Sequence, residues 1–278
     1  MEKNRHQHKV VHLCRHLGVS ASGFYDWEDR GLSQRALEDE ALLEAIKVVH
    51  VGHKRNYGAP RVHKALRNQN VSCSKRRVNR LMKANGIQST YHASRPGRRS
   101  GGYAEVADNL LADSPKATAA GQQWAGDMTY LKTAQGPIYM AAVLDLFNRE
   151  VIGWGFSRAH DADLIKGALE MSLALQENEA GCLFHSDQGS EYRSDIYQNT
   201  LRKSDLVSSM SRAGTPTDNA FVESFFGTLK NELVHQMKFS SYVECAARVI
   251  DYVEFYNEER LHSSLGYVSP KAYQRVAS

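Results

Sequence analysis

Three acidic residues combine the side-chain type and the positions that a site for divalent metal ions requires. Asp127 lies within an apolar run, Asp187 directly follows a second run, and Glu223 falls in the first turns of a segment with a helical pattern. The first two residues are 60 positions apart and the last two are 36 apart. Carboxylate oxygens are hard ligands that bind Mg²⁺ or Mn²⁺ at partly hydrated sites. Two such ions can activate a water molecule or a hydroxyl group and stabilise the leaving oxygen of an in-line phosphoryl displacement.

The elements that must position these carboxylates follow a mixed α/β order. Helical spacing and apolar, β-branched runs alternate from about residue 122 onward. They indicate an α/β ribonuclease-H-like core, a mixed five-stranded sheet with flanking helices. In such a sheet the first and fourth strands are neighbours, so we expect Asp127 and Asp187 to meet at one edge. The predicted strands are 124–131, 138–146, 151–156, 182–185 and 206–210, and the predicted helices are 161–175, 218–235, 242–257 and one between the last two strands.

Acidic and polar residues at these positions can also have purely structural roles. A single aspartate at a strand end is more often a turn or capping residue than a metal ligand. Three carboxylates at these spacings and in this order of elements are much less easily explained in that way. Four nearby polar residues are predicted to have structural roles: His185 in its strand, Asn219 as a helix cap first and a site residue second, and Arg260 and His262 in closing the C-terminal fold.

The N-terminal third of the chain is strongly basic. Residues 1–100 have a net charge of +12, whereas residues 101–278 have a net charge of −8. Between Glu44 and Glu105 there are 14 Lys or Arg residues and no acidic residue. Such a field attracts nucleic-acid phosphates through counterion release. The alternative is an ordinary solvated surface, but solvated surfaces usually mix both signs of charge.

Helical patterns divide this basic part into two units. In the first, a predicted helix over 8–17 ends at Gly18, and Ser20 or Ser22 can cap a second helix. A tight turn between two short helices is typical of DNA-binding helix pairs. The predicted domains are a helix-turn-helix over 1–32, a second helix-turn-helix-like unit of three helices over 33–92, a basic linker over 93–118 and the α/β core over 119–278.

Two helices carry the residues that we expect to contact DNA. The predicted helix over 75–84, capped by Ser74, has one apolar stripe and otherwise mostly basic positions, which makes it the candidate recognition helix. In the helix that carries Glu223, Gly227 and Lys230 share its face, while Phe221, Val222 and Phe225 are expected to face the core. The alternative for Lys230 is an ion pair with a nearby acid. The predicted DNA-binding residues are Arg61, Lys75, Arg76, Arg77, Arg80 and Lys230.

Composition excludes several classes of protein. Hydrophobic residues make up 42% and charged residues 24% of the 278 residues, as in ordinary globular proteins. The longest apolar run, 139–144, is far shorter than the roughly 20 residues that span a bilayer. The N-terminal residues lack the apolar segment of a secretory signal, and the four cysteines form no CxxC pair. We therefore expect a cytoplasmic protein without a membrane segment, associated with the nucleoid when bound to DNA.

Several stretches together resemble one protein family. They are WAGDMTY, AAVLDLFNREVIGW, FHSDQGSEY, SMSRAGTPTDNAFVESFFGTLKNEL and YNEERLHSSLGYVSP, with YGAPRVHKAL and SKRRVNRLMKANGI upstream. With these motifs the chain resembles the DDE transposases and retroviral integrases, and most closely the insertion-sequence-three family of bacterial transposases, second-frame (OrfB) type. The resemblance covers essentially the whole chain. One departure is Gly126, where the family usually carries a side chain such as Thr.

The resemblance implies a reaction and its partners. Asp127, Asp187 and Glu223 would form the DDE triad, bind two Mg²⁺ or Mn²⁺ ions, and cut and join the ends of an insertion element. Lys230 would contact DNA phosphate beside this site. Implied partners are double-stranded DNA (terminal inverted repeats and target), further copies of the chain on DNA, and the upstream-frame (OrfA) protein or a fusion with it. The alternative is a non-catalytic DNA-binding regulator that competes for element ends.

Overall fold

The N-terminal part of the protein begins with a pair of short helices. The computed structural model describes residues 6–29, 31, 33–90, 107–212 and 216–277. Helix α1 (Val10–Leu17) ends at Gly18, which has a left-handed φ of 67°, and α1 contacts α2 (Ala21–Asp29). The Ser20 hydroxyl accepts a hydrogen bond from the N–H of Gly23 at the start of α2. The predicted helix pair is present, and residues 1–5, 30 and 32 of the predicted unit lie outside the described residues.

Three further helices form a second unit with its own apolar core. They are α3 (Gln34–Gly52), α4 (Ala59–Asn68) and α5 (Lys75–Ala84). The Ser74 hydroxyl accepts from the N–H of Arg77, which satisfies a free amide at the start of α5. Helix α5 therefore begins where the sequence predicts it. The buried side chains shared by the three helices include Leu42, Ile46, Val49, Tyr57, Val62, Leu66, Val78 and Leu81.

The α/β core contains a mixed sheet. Its strands in the described residues are β1 (Gln123–Thr133), β2 (Gly136–Asp145), β3 (Val151–Ser157), β4 (Cys182–Ser186) and β5 (Leu206–Met210). Their order is β3-β2-β1-β4-β5. The first three strands are antiparallel, while β4 pairs in parallel with both β1 and β5. This arrangement confirms the predicted five-stranded ribonuclease-H-like sheet and the predicted neighbourhood of its first and fourth strands.

Helices cover both faces of the sheet. On one face, α7 (Ala162–Leu175) and α8 (Asp195–Lys203) bury side chains against it, and on the other, α9 (Ala220–Glu232) and α10 (Tyr242–Glu258) do so. Alternate residues of β1 and β2 point to opposite faces, as strand geometry requires, and so supply both apolar clusters. Helix α11 (Pro270–Ala277) contacts α10. Across the described ranges, every helix is too short or too polar to cross a membrane.

The segment predicted as a linker is partly packed on the core. Residues 93–106 of the predicted linker lie outside the described residues. The remaining part contains α6 (Leu110–Asp113), and the N–H of Leu111 donates to the Ser209 hydroxyl of β5 at 3.1 Å. The N–H of Met210 also donates to the carbonyl of Asp108. The residues from 107 onward therefore pack with the core, because their backbone groups find partners on its edge strand.

The three-helix unit rests on the C-terminal segment of the core. Leu261 and Tyr267 pack with the apolar cluster of this unit. The Tyr57 hydroxyl donates to the carbonyl of Glu259 at 3.3 Å and accepts from the N–H of Leu261 at 2.9 Å. The Lys54 ammonium lies 4.9 Å from the centre of the Phe255 ring. Apolar contact and hydrogen bonds thus hold the two parts together in the structure.

Candidate active site

The sheet brings Asp127 and Asp187 to the point where the parallel pairing of β1 with β4 ends. In the last pair of this ladder Ala125 is opposite His185. Asp127 lies two residues after Ala125, within β1, and Asp187 lies two residues after His185, directly after the end of β4. Both carboxylates are half-buried. Asp127 Oδ1 accepts from the N–H of Met128 at 2.7 Å, and Asp187 Oδ1 accepts from the N–H of Gly189 at 2.8 Å. These backbone contacts fix the orientation of two acids whose positions are 60 residues apart in the chain.

Gly126 leaves room for an aromatic ring beside Asp127. A Cβ at this position would lie 2.7 Å from Cζ of Phe184 and 3.6 Å from the hydroxyl of Tyr192. Real side chains do not approach so closely, so Phe184 fills the space that a residue larger than glycine would need. The departure from the family pattern at Gly126 therefore has a packing reason within this chain.

Asp127 and Asp187 together define what we call the acidic edge of the sheet. Tyr192 lies beneath this acidic edge and was not singled out from the sequence. Its side chain is buried, and its ring meets that of Tyr197 edge-on at 5.3 Å. Burial raises the pKa of Tyr192 well above its usual value, and the charges of Asp127 and Asp187 raise this pKa further. The phenol also lies beside Gly126 and Gly189, the glycines next to Asp127 and two residues after Asp187. Its place in the FHSDQGSEY stretch, five residues after Asp187, was the available signal.

Asn219 ties the start of α9 to the strand that carries Asp127. Its Nδ2 donates to the carbonyl of Gly126 at 3.3 Å, and its side chain caps no helical amide. Asn219 therefore occupies the predicted N-cap position, but its buried side chain bonds across elements rather than along its own helix. Glu223, one turn further along α9, is exposed. The contact through Asn219 places the helix of Glu223 beside β1.

Two other residues of α9 differ in their surroundings. The Lys230 ammonium donates to the Thr129 hydroxyl at 2.6 Å and lies 5.4 Å from the centre of the Tyr130 ring. Lys230 is thus next to β1, where it contacts the residue that lies two positions after Asp127. Phe221, expected in the core, is 39% exposed, and the Arg149 guanidinium lies 3.8 Å from its ring centre. The buried stripe of α9 instead consists of Val222, Phe225, Phe226 and Leu229.

The donor atoms of the three carboxylates suit Mg²⁺ or Mn²⁺, because both ions prefer oxygen ligands. Among the residues that the structure describes, however, no group of three or more His, Cys, Asp or Glu side chains is arranged to hold a metal ion. Asp127, Asp187 and Glu223 fit the ion in chemistry and in the elements that carry them.

His185 and Arg260 have the structural roles predicted for them. The imidazole of His185 is fully buried, with Nδ1 2.9 Å from the Ser209 hydroxyl and Nε2 3.1 Å from the Ser211 hydroxyl. Burial lowers the pKa of His185 to about 4, so the ring stays neutral near pH 7. Arg260 forms a buried ion pair with Glu232 at 2.7 Å. Neither side chain is available for proton transfer at the acidic edge.

The predicted DNA-binding residues of the three-helix unit have different environments. Lys75 and Arg76 are exposed on α5. Arg77 Nε and Arg80 Nη2 each lie 2.6 Å from the carboxylate of Asp39 on α3. These two guanidinium groups therefore already have an acidic partner within the unit.

Arg61 is directed toward the core. Its Nε donates to the carbonyl of Leu261 at 2.9 Å, and its Nη1 is 3.9 Å from Glu232. Burial lowers the pKa of Arg61 from its usual value. This position differs from the outer surface that DNA contact would require, because Arg61 is part of the contact between the three-helix unit and the core.

Comparison with known proteins gives matches along most of the chain. A family model described as an HTH-like domain matches residues 37–95, and two models described as integrase core domains match 117–216 and 205–270. The chain is 38% identical over 250 residues to the transposase for insertion sequence element IS904 of Lactococcus lactis, covering 88% of this chain and 98% of that protein. It is 36% identical over 281 residues to the transposase InsF for insertion sequence IS3A of Escherichia coli, covering 99% and 96%.

A solved structure is also similar. It is the catalytic core domain of HTLV-2 integrase in complex with magnesium, with a TM-score of 0.45, 14% sequence identity, and coverage of 56% of this chain and 97% of that one. The family models agree with the observed order of a helical unit followed by a mixed sheet. With relatives this similar over nearly their whole length, the chain belongs to the IS3 family of transposases and carries their integrase-type core.

Proposed function

We propose that the protein cuts and joins the ends of an insertion element through a metal-dependent DDE triad formed by Asp127, Asp187 and Glu223. The observation that carries this proposal is the placement of the two aspartates where the parallel pairing of two adjacent strands ends, with the helix of Glu223 tied to the same strand by Asn219. Membership of this family, with its integrase-type core, also implies that the protein is a polynucleotidyl transferase.

The reaction has two displacements at phosphorus. In the first, a water oxygen forms a bond to a phosphodiester phosphorus and the bond to the 3′ oxygen breaks, which frees a 3′-hydroxyl. In the second, that hydroxyl oxygen attacks a phosphodiester of another strand, and the leaving 3′ oxygen takes up a proton. Mg²⁺ or Mn²⁺, two ions in the full site, supplies activation of the attacking oxygen and stabilisation of the leaving oxygen when bound. The triad includes no Ser or Tyr nucleophile, so no covalent protein–DNA intermediate is expected.

The protein's own residues bind and orient the DNA. Asp127 and Asp187 hold one side of the site on a rigid sheet, and Glu223 approaches from α9. Lys230 lies beside β1, where its ammonium group would contact a phosphate of the bound strand. Lys75 and Arg76 on α5 would contact the element end, with Arg77 and Arg80 at the same surface. Further copies of the chain and the upstream-frame protein remain proposed partners.

A non-catalytic regulator would share the basic helical units but would not need the acidic edge. Three carboxylates drawn together repel one another, which costs stability unless a cation is bound. Keeping all three on elements that converge is therefore better explained by ion binding.

The proposal is tested with the full chain, alone and fused to its upstream frame, on a labelled duplex that carries the inverted repeat flanking its reading frame. Asp187→Asn and Glu223→Gln should abolish Mn²⁺-dependent nicking and joining, while retaining binding of the duplex. Glu170→Gln, which removes an exposed acid on α7 from an ion pair with Lys166, is the charge-matched control and should cut normally. A wild-type protein that binds the repeat but neither nicks nor joins it in any form would leave the regulator as the explanation.

A further inference from the structure

Glu191 is held firmly in the loop that joins β4 to α8. Its side chain is only 15% exposed, and Nδ1 of His160 lies 2.9 Å from Oε1. Its backbone carbonyl accepts hydrogen bonds from both the N–H and the hydroxyl of Ser194, the residue that caps α8. His160 therefore holds the side chain of Glu191, and Ser194 holds its backbone. A solvated surface acid, by contrast, would adopt many rotamers.

The second oxygen of this carboxylate lies beside Gly189, as does Oδ1 of Asp187. A Cβ on Gly189 would lie 2.9 Å from Oε2 of Glu191 and also 2.9 Å from Oδ1 of Asp187. The two acids are therefore neighbours on either side of a glycine that has no side chain to separate them. Among the described residues, no Lys or Arg pairs with either carboxylate.

The surroundings of Tyr192 place the same acids around one buried ring. The pKa of this phenol is raised first by burial, then by the charge of Asp127, and also by the charges of Asp187 and Glu191. Like charges this close to one another disfavour the folded state unless something compensates for them. His160 contacts Oε1 of Glu191, while Oε2 lies beside Gly189, so a bound cation would supply the compensation between the two acids.

We propose that Glu191 is a positioning residue for Asp187, and that His160 on the connection between β3 and α7 holds Glu191 in place. This inference rests on the proposed function, because it assigns ion binding to the acidic edge. The fixed charge of Glu191 strengthens the attraction of a divalent cation to Asp187, and its link to His160 keeps the loop after β4 at the correct distance. Groups that surround the direct ligands commonly act in this way at metal sites.

The test measures Mn²⁺ binding to the full chain without DNA, by the electron paramagnetic resonance signal of the free ion. Glu191→Gln keeps the size of the side chain and an oxygen that can accept from His160, but it removes the charge. We expect this variant to bind Mn²⁺ about 10-fold more weakly, and its melting temperature in the absence of the ion should be no lower than that of the wild type, because a like charge has been removed. His160→Ala should weaken binding less, and it should have no further effect in the Glu191→Gln background.

Two reference variants make the outcomes distinguishable. Glu170→Gln removes one negative charge from the exposed surface of α7 and should bind Mn²⁺ like the wild type. Asp187→Asn should lose binding. If Asp187→Asn loses binding but Glu191→Gln matches the Glu170→Gln control, the positioning role is overturned while the proposed function stands. If Asp187→Asn binds Mn²⁺ as the wild type does, the proposed function itself fails. If Glu191→Gln instead binds Mn²⁺ with wild-type affinity but melts at a lower temperature without the ion, the contact between Glu191 and His160 is only structural. That result would also overturn the inference.

Discussion

Helix α9 carries two glutamates whose surroundings are opposite, although they are nine residues apart on one helix. Glu223, in the first turns of α9, is exposed. Glu232 is fully buried, accepts two hydrogen bonds from Arg260 at 2.7 and 2.9 Å, and accepts a third from the Tyr252 hydroxyl at 2.8 Å. Its carboxylate also lies 3.9 Å from Arg61. The same residue type is thus a candidate ligand at one end of the helix and a structural ion at the other.

This difference follows from the cost of burying charge. A buried carboxylate is tolerated only when hydrogen bonds and opposite charge replace the lost water. Around Glu232 those partners come from three places: α4, α10 and the segment after it. The buried network therefore joins the three-helix unit to the core. Asp127 and Asp187, by contrast, are only half-buried and Glu223 is exposed, as the proposed exchangeable ion and DNA strand would require.

The largest expected effect compares the two glutamates directly. Glu232→Gln should lower the free energy of unfolding by about 3–5 kcal/mol, because it leaves a buried guanidinium without its charged partner. Glu223→Gln should change it by no more than about 0.5 kcal/mol, as is usual for exposed positions. Denaturant unfolding of both variants without metal measures the difference. Equal destabilisation would contradict the contrast between the two ends of α9.

A pH titration sharpens the comparison at the buried end. Burial, together with the positive charges of Arg260 and Arg61, lowers the pKa of His262 to about 3. The folded state then binds this proton less readily than the unfolded state, whose histidine has a pKa of about 6.5. Stability from this group is therefore fully present above pH 6.5 and falls as the pH drops from there toward 3, by at most about 1.4 kcal/mol per pH unit.

His262→Gln should remove that part of the acid sensitivity. The measurement is the difference between wild-type and variant unfolding free energies from pH 7 to pH 4. A difference that stays constant over this range would show that His262 does not titrate in the expected window. His8→Gln, at an exposed position near the N-terminus, provides a matched control that should leave the pH profile unchanged.

Removal of one hydroxyl at the contact between the two parts should have a smaller effect. Tyr57→Phe leaves the N–H of Leu261 without its acceptor, so we expect a loss of about 1–3 kcal/mol. Hydrogen exchange should also become faster in the residues just before α4 and in the segment after α10, where the lost contacts lie. Tyr25→Phe, at a position that is 48% exposed, is the control and should change neither quantity. Unchanged exchange in Tyr57→Phe would mean that the apolar contacts and Arg61 hold the unit without the Tyr57 hydroxyl.

The smallest effect concerns the basic surface of α5. Lys75→Ala and Arg76→Ala should each reduce the slope of log affinity against log salt by about 1, since each removes one phosphate contact. Arg61→Ala should leave this slope unchanged, because Arg61 faces the core. The slope is measured on the terminal repeat and on unrelated duplex DNA. A reduced slope in Arg61→Ala would place that residue on the DNA-binding surface after all.

Local signals were sufficient for most of the secondary structure. The bounds of α5 and β5 agree with the prediction, since a capping serine and a short segment with apolar residues at both ends act over a few residues. The neighbourhood of β1 and β4 was also predicted, because the order of elements in the core permits few sheet topologies. Asp127 and Asp187 could therefore be placed at the same edge without knowledge of any side-chain contact.

What the sequence alone determined was the type of most elements, the charge division of the chain and the placement of Asp127 and Asp187 on two neighbouring strands. The tertiary structure decided which side chains have partners far away in the chain: Asn219 with Gly126, Arg61 with Leu261, and Glu191 with His160. Helix caps and strand runs depend on neighbours within a few residues, which the sequence displays. Contacts across 30 to 200 positions depend on how whole elements pack, and for that reason no local pattern of residue types could reveal them.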